Sequence, residues 1–132
     1  MATILLIDDN EDICDLLHVY LSADNHGVTV VHDGVEALAV LKENRFDLII
    51  TDLVMPNING IAFIAELVNQ PHCPPIIAMS GVLKHPDFDS VSAVTLGVSD
   101  ILLKPFDQLT LANAVIKALN CPTPLRHAPS DS

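Results

Sequence analysis

The segment DLIITDLVMPNING, residues 47–60, places the carboxylate of Asp52 directly after a run of apolar residues. The run from Leu48 to Thr51 is typical of a buried strand, and the Pro, Asn and Gly residues that follow are typical of a loop. A carboxylate at the end of a buried strand can act as a nucleophile or as a metal ligand. Taken alone, Asp52 has an alternative interpretation as a turn or helix-capping residue.

Polar residues follow three other predicted strands as well. Asp8 and Asp9 follow the first strand, Ser80 follows the fourth and Lys104 follows the fifth. Because sites in open parallel sheets form beyond the carboxyl ends of the strands, these side chains are expected to converge with Asp52. Three adjacent carboxylates repel one another, and one Mg²⁺ together with the Lys104 ammonium would balance their charge. Mg²⁺ prefers oxygen ligands and often binds beside a phosphate. The set therefore predicts a site for a phosphoryl group next to a metal.

The elements that would position these residues alternate along the chain. Strands are predicted at Thr3–Ile7, Val28–His32, Leu48–Thr51, Ile76–Met79 and Ile101–Leu103. Several are apolar at successive positions, which is typical of strands covered on both faces of a parallel sheet. With a helix predicted after each strand, the (βα)5 order predicts an α/β fold. Its sheet is doubly wound, five-stranded, parallel and flavodoxin-like, with strand order 2-1-3-4-5.

Apolar residues at helical spacing predict the buried face of each helix. These positions are Ile13, Leu16, Leu17, Tyr20 and Leu21; Val35, Leu38 and Leu41; Ile61, Ile64, Leu67 and Val68; and Leu109, Ala112, Val115, Ile116 and Leu119. Asp107 is the predicted N-cap of the last helix. The fourth helix, around Val91 and Val94, has the weakest helix-forming composition of the set.

Length and composition limit the class of protein. A chain of 132 residues fits one domain, which we place at residues 1–120, with the proline-containing residues 121–132 as a tail or the start of a linker. The net charge of −11 argues against direct binding to nucleic acid or to an anionic membrane. The chain has no apolar run of membrane length and no basic leader segment, so a cytoplasmic location is predicted. The three widely spaced cysteines are expected to be reduced.

Four motifs, LLIDDNED, IITDLVMPNING, AMSG and LLKPF, together resemble the receiver domain of two-component response regulators, including single-domain chemotaxis regulators. The resemblance covers about residues 3–120. It implies a signalling switch rather than an enzyme. A histidine kinase or histidine phosphotransfer protein would donate a phosphoryl group to Asp52, and a downstream protein would bind the face formed by the fourth helix, fifth strand and fifth helix.

The resemblance also implies a role for each matching position around the metal. Asp52 matches the phosphoacceptor and a ligand of Mg²⁺, or of Mn²⁺ in its place. Asp9 matches the other carboxylate that binds the metal directly, and Asp8 matches one that acts through a water molecule. The main-chain carbonyl of Val54 matches the remaining protein ligand.

Four further positions match the residues that act on the phosphoryl group or shape the nearby backbone. Ser80 matches a hydroxyl that moves to bond a phosphoryl oxygen. Lys104 matches a cation that pairs with Asp52 before transfer and with the phosphoryl group afterwards. Pro105 matches a position that has a cis peptide bond in the family, and Gly60 matches a glycine that permits a tight turn.

Three features depart from the family pattern. Ile101 stands where the family often has Tyr or Phe, and a β-branched side chain cannot make the same ring rotation, so we expect signalling through backbone and fourth-helix movement. The span from Ser80 to Gly97 is about two residues longer than is common, which indicates either a partner surface specific to this protein or a harmless insertion. Val54 and Val82 offer no group to orient a hydrolytic water, which predicts a slowly hydrolysed aspartyl phosphate.

The sequence leaves two alternative functions open. A phosphorylation-independent interaction module would be expected to have lost some of the site residues. All five are present: Asp8, Asp9, Asp52, Ser80 and Lys104. A phosphohydrolase of the haloacid dehalogenase type also uses an aspartate nucleophile, but it needs the motif D-x-D-x-[TV] after the first strand. Here that strand is followed by DDNED, and the residue two after Asp52 is Val54, so the general acid is missing.

Overall fold

A computed structural model describes residues 2–52, 54–55, 58–69, 73–80, 98–104 and 106–120. The described elements are β1 Thr3–Ile7, α1 Glu11–Ala23, β2 Gly27–Val31, α2 Gly34–Glu43, β3 Leu48–Asp52, β4 Val54–Met55, β5 Ile58–Asn59, α3 Gly60–Val68, β6 Ile76–Ser80, β7 Asp100–Leu103 and α4 Gln108–Asn120. The predicted helix around Val91 and Val94 lies outside the described residues, as does the segment 121–132.

The five longer strands form one parallel sheet in the order β2-β1-β3-β6-β7. Counted among these five strands, the order is 2-1-3-4-5, so the predicted fold class is confirmed. Ile7 pairs with Thr51, and Asp52 pairs with Met79. The carboxyl ends of β1, β3 and β6 therefore lie at one edge of the sheet, which is where a site is expected.

The strand boundaries differ from the predicted ones by one residue. β2 begins at Gly27 and ends at Val31, and β7 begins at Asp100. β3 includes Asp52 as its last residue, so this carboxylate belongs to the strand itself. The short antiparallel pair β4 and β5, in the segment after Asp52, was not predicted.

Two apolar layers cover the two faces of the sheet. The buried helix residues of one layer are Cys14, Leu17 and Leu21 from α1 with Leu111, Ala114, Val115 and Ala118 from α4. Those of the other layer are Ala37 from α2 with Phe63, Ile64 and Leu67 from α3. None of the helices described here has both the length and the apolar character that crossing a bilayer would require.

The buried faces of α1, α2 and α4 differ in part from the predicted ones, and in α1 the predicted residue Leu16 is 43% exposed. Val35, Leu109 and Ile116 are 76%, 68% and 55% exposed, whereas Ala37 and Ala114 are buried. Small residues allow a helix backbone to lie close to the sheet, so the contact face follows the alanines. Val35 and Ile116, each two positions from one of these alanines, are left on the outside, as is Leu109 in the first turn of α4, whereas Val115 is buried as predicted.

Side-chain caps set the first turns of α1 and α4. Asn10 Oδ1 accepts a hydrogen bond from the Ile13 N–H at 3.1 Å, and Asp107 Oδ1 accepts one from the Thr110 N–H at 2.8 Å. The bond from the Thr110 backbone lowers the pKa of Asp107 below its ordinary value. The predicted cap at Asp107 is confirmed, and Asn10 fixes where α1 starts after the first strand end.

A matched pair of alanines in α2 tests the packing of this helix. Ala37 is fully buried and Ala39 is exposed. We expect Ala37→Leu to lower the free energy of unfolding by about 1–3 kcal/mol, because extra methylenes must displace packed neighbours. Ala39→Leu should change it by less than about 0.5 kcal/mol. Urea unfolding of both variants measures the difference. Equal losses of stability would mean that α2 is rotated about its axis, so that Ala37 does not face the sheet.

Candidate functional site

Three carboxylates meet at the edge of the sheet where β1 and β3 end. One carboxylate oxygen from each of Asp8, Asp9 and Asp52 lies within 4.8 Å of the other two. Asp8 is 0% exposed and Asp52 is 6% exposed, whereas Asp9 is open to solvent. The predicted convergence of these three residues is thus present, with the cluster buried on one side and open to water at Asp9.

Lys104, which follows β7, contacts two of these carboxylates. Its Nζ lies 3.0 Å from Asp8 Oδ2 and 3.4 Å from Asp52 Oδ2. Burial alone would lower the pKa of Lys104, but attraction to Asp52 and the hydrogen bond and attraction to Asp8 outweigh it. The pKa of Lys104 is therefore raised above its ordinary value, and the side chain carries a proton at neutral pH.

Hydrogen bonds hold the Asp8 carboxylate and the main chain at both strand ends. Asp8 Oδ1 accepts a hydrogen bond from the Asn10 N–H at 2.9 Å, so the two carboxylate oxygens of Asp8 have different partners. The Asp8 carbonyl accepts a hydrogen bond from the Cys14 thiol at 3.3 Å, and the Asp52 carbonyl accepts one from the Thr51 hydroxyl at 3.1 Å. The strand ends are thereby fixed before any ligand binds.

Cys14 and Asn10 were not among the predicted site residues. Only their position in the sequence could have pointed to them. The first turn of a helix that starts right after Asp9 must lie against the end of the strand. The Cys14 side chain is buried. Burial, followed by the nearby charges of Asp8 and Asp15, raises the pKa of its thiol to about 11.

This raised pKa predicts an unreactive thiol. With a pKa of about 11 instead of the ordinary 9.0, Cys14 holds about 100-fold less thiolate at pH 8, and the thiolate is the reacting form. We expect iodoacetamide to label the half-buried Cys73 well before Cys14. Peptide mapping of a labelling time course at pH 8 measures both rates. Equal rates would show that the first turn of α1 opens readily.

The donor set of the cluster fits a hard divalent cation. All three groups are carboxylates, and oxygen is the ligand atom that Mg²⁺ prefers. With the lysine charge included, Asp8, Asp9, Asp52 and Lys104 carry a net charge of −2, which one divalent cation would balance. The open side at Asp9 leaves room for the waters that Mg²⁺ usually retains.

The other predicted site residues fall partly within the described chain. Ser80 ends β6 in register with Leu103, beside Lys104. Val54 begins β4, and Gly60 begins α3. The structure describes the backbone at these three positions but not the side chains of Ser80 and Val54.

Ile101 is the second residue of β7 and is half-buried against the layer formed by α2 and α3. Its N–H donates a hydrogen bond to Asp100 Oδ1 at 2.8 Å. Val82 and Pro105, the remaining predicted positions, lie outside the described residues.

Comparison with known sequences identifies relatives. A family model described as the response regulator receiver domain matches residues 4–116. The response regulator ArlR of Staphylococcus haemolyticus is 35% identical over 107 residues, which cover 81% of this chain and 48% of ArlR. The response regulator SaeR of Staphylococcus aureus is 30% identical over 129 residues, covering 98% and 55%. The chain therefore spans about half the length of these curated relatives.

Solved structures give the same result. The chemotaxis response regulator CheY4 of Vibrio cholerae matches with a TM-score of 0.80 at 29% identity, covering 90% of this chain and 99% of CheY4. A response regulator receiver domain protein of Clostridium thermocellum matches with a TM-score of 0.79 at 31% identity, covering 91% and 95%. Receiver domains are generally signalling domains rather than enzymes. On this evidence the chain belongs to the response regulator receiver domain family of two-component signalling.

Proposed function

We propose that the protein is a phosphorylation-dependent switch in which Asp52 accepts a phosphoryl group from a phosphohistidine. The donor would be a histidine kinase or a histidine phosphotransfer protein. The observation that carries this proposal is the cluster of Asp8, Asp9 and Asp52, with Lys104 lying between Asp8 and Asp52. A site with this charge pattern favours a transferring phosphoryl group beside a cation.

The transfer step uses the carboxylate of Asp52 as the nucleophile. One of its oxygens forms a bond to phosphorus while the P–N bond of the phosphohistidine breaks, and the bonding electron pair stays on the imidazole nitrogen. An attack in line with the departing nitrogen requires a firmly placed oxygen. The position of Asp52 as the last residue of a fully buried strand supports such placement.

The remaining roles are those that the family resemblance implies. A bound Mg²⁺ or Mn²⁺ would be held by Asp9, Asp52 and the Val54 carbonyl, with Asp8 through a water, and would neutralise charge on the phosphoryl group. Lys104 would shift its pairing from Asp52 to a phosphoryl oxygen. Ser80 would donate its hydroxyl to another oxygen once the adduct has formed.

The consequence of transfer would be a change in protein contacts. The proposed receiver domain is residues 1–120. The downstream partner would bind the face formed by the predicted helix around Val91 and Val94, strand β7 and the last helix, α4. The strongly acidic charge argues against nucleic-acid contacts by these 132 residues themselves, and this stays a prediction. The slow hydrolysis expected from Val54 and Val82 also stays a prediction.

Intact-mass analysis tests the proposal. The chain is incubated with a small phosphodonor and Mg²⁺, and a parallel sample contains excess EDTA. We expect one phosphoryl adduct that depends on the metal. If neither sample carries an adduct with any small donor or with a mixture of purified histidine kinases, the proposal fails and a phosphorylation-independent interaction module becomes the better interpretation.

A further inference from the structure

A cavity of about 520 Å³ lies at the edge of the sheet opposite the carboxylate cluster. Its lining includes Asn44, Arg45 and Phe46, which precede β3, and Cys73 and Pro74, which precede β6. Because the strands are parallel, the segments before them lie at the amino ends. Asp52 ends β3 at the other edge. The cavity is therefore separate from the proposed phosphorylation site.

Apolar side chains form one part of the cavity wall. Leu41, Phe46 and Pro74 are half-buried, and the fully buried Ile49 and Leu67 lie behind them. The Cys73 thiol also lines it and donates a hydrogen bond to the Pro74 carbonyl at 3.2 Å. The volume falls in the range of roughly 300–1,000 Å³ that is typical of small-molecule sites, and polar and apolar groups contribute about equally to the lining.

The rim of the cavity is basic in an otherwise acidic protein. The exposed residues Lys42 and Arg45 both line it, and the whole chain has six Lys and Arg against 17 Asp and Glu. Glu43 is also at the rim and offsets part of this charge. With a net charge of −11, most of the surface repels anions, so a rim where two cations outnumber one carboxylate beside apolar side chains favours an anion at this place.

We propose that this cavity binds a small amphiphilic carboxylate, with its apolar body against Leu41, Phe46 and Pro74 and its charged end at Lys42 and Arg45. A neutral apolar molecule would use the interior but not the two cations. A cationic amphiphile would meet repulsion at the rim. The inference goes beyond the proposed phosphorylation, because the two sites share no residue.

Octanoate is a suitable probe, and 1-octanol is its neutral match. Amide ¹H–¹⁵N shifts of the whole chain are recorded during titration with each compound below its aggregation concentration. We expect octanoate to shift the amides of residues 41–46 and 73 in a saturable way and to leave those of Asp8, Asp9 and Asp52 unchanged. It should also slow iodoacetamide labelling of Cys73. 1-Octanol should bind at least about fivefold more weakly, because it lacks the charge.

Variants at the rim test the basis of the preference. Lys42→Gln combined with Arg45→Gln should weaken octanoate binding by about tenfold and leave 1-octanol binding unchanged. Lys117→Gln removes a charge from the exposed side of α4 and should have no effect. Absent or unsaturable shifts, shifts spread over the surface, equal binding of the two probes, or unchanged affinity in the double variant would each overturn the proposal.

Discussion

Replacing Asp52 with asparagine is expected to abolish the phosphoryl adduct that the wild-type chain forms with a small phosphodonor and Mg²⁺. An amide oxygen is a poor nucleophile, so the rate of adduct formation should fall by at least about 1,000-fold. Asp8 is not expected to take over, because its carboxylate is 0% exposed and a phosphodonor cannot reach it. Intact-mass spectra recorded over time give the rate for each variant.

The same substitution should not harm the fold. Asp52→Asn removes one of three like charges within 4.8 Å, so the free energy of unfolding should stay the same or rise by up to about 1 kcal/mol. Asp15→Asn is a matched control, because Asp15 is an exposed residue of α1. It should form the adduct at the wild-type rate. An adduct on Asp52→Asn at that rate would place the phosphoacceptor on another residue.

The convergence of the carboxylates could be predicted because it depends on topology more than on detail. Once β1 and β3 are neighbouring parallel strands, whatever follows their last apolar residues must meet at one edge. Asp8, Asp9 and Asp52 stand there in the sequence and lie together in the structure. Identifying the strand ends was therefore enough to find the cluster.

The partners within the cluster could not be predicted in the same way. The family resemblance implied Asp52 as the partner of Lys104, and this ion pair is present at 3.4 Å, but the closer contact of Lys104 Nζ, to Asp8 at 3.0 Å, was not predicted. Such a choice depends on side-chain rotamers and on burial, and Asp8 is the more buried carboxylate. The contact of Cys14 with the Asp8 carbonyl likewise depends on how α1 enters the site.

The helix faces show a further limit of sequence patterns. In α4 the predicted face contained Leu109 and Ile116, but both are exposed. The buried residues Leu111, Ala114 and Ala118 have the spacing i, i+3, i+7, which is an equally regular helical pattern. The choice between two such faces is decided by how closely the helix can approach the sheet, and periodicity carries no information on that distance.

Replacing Lys104 with methionine is expected to lower the free energy of unfolding by about 2–3 kcal/mol in metal-free buffer. Methionine keeps much of the packing of the side chain but leaves Asp8 and Asp52 buried without their cation. Removing one partner of a fully buried ion pair typically costs roughly 3–5 kcal/mol. A smaller value is expected here, because the Lys104 side chain is 18% exposed and Asp9 is open to water.

The loss should depend on pH in a defined direction. In the wild-type protein the raised pKa of Lys104 keeps its contribution present below the unfolded value and removes it only as pH rises through the folded value. Lys104 therefore does not titrate between pH 5 and pH 8. The stability that Lys104 contributes, and with it the deficit of the variant, should be the same at pH 5 and pH 8 and should shrink only as the pH rises through the raised pKa of Lys104.

Urea unfolding of the wild type, Lys104→Met, Asp52→Asn and the double variant measures this coupling. The double variant should recover at least half of the lost stability, since one of the repelling charges is gone. Added Mg²⁺ should also restore part of it, because a divalent cation can replace the missing positive charge. Lys117→Met, an exposed lysine of α4, is the control and should change little. Two results would show that the cluster does not depend on this lysine. One is a Lys104→Met variant as stable as the wild type at pH 8, and the other is the same loss from Lys104→Met in the wild-type and Asp52→Asn backgrounds.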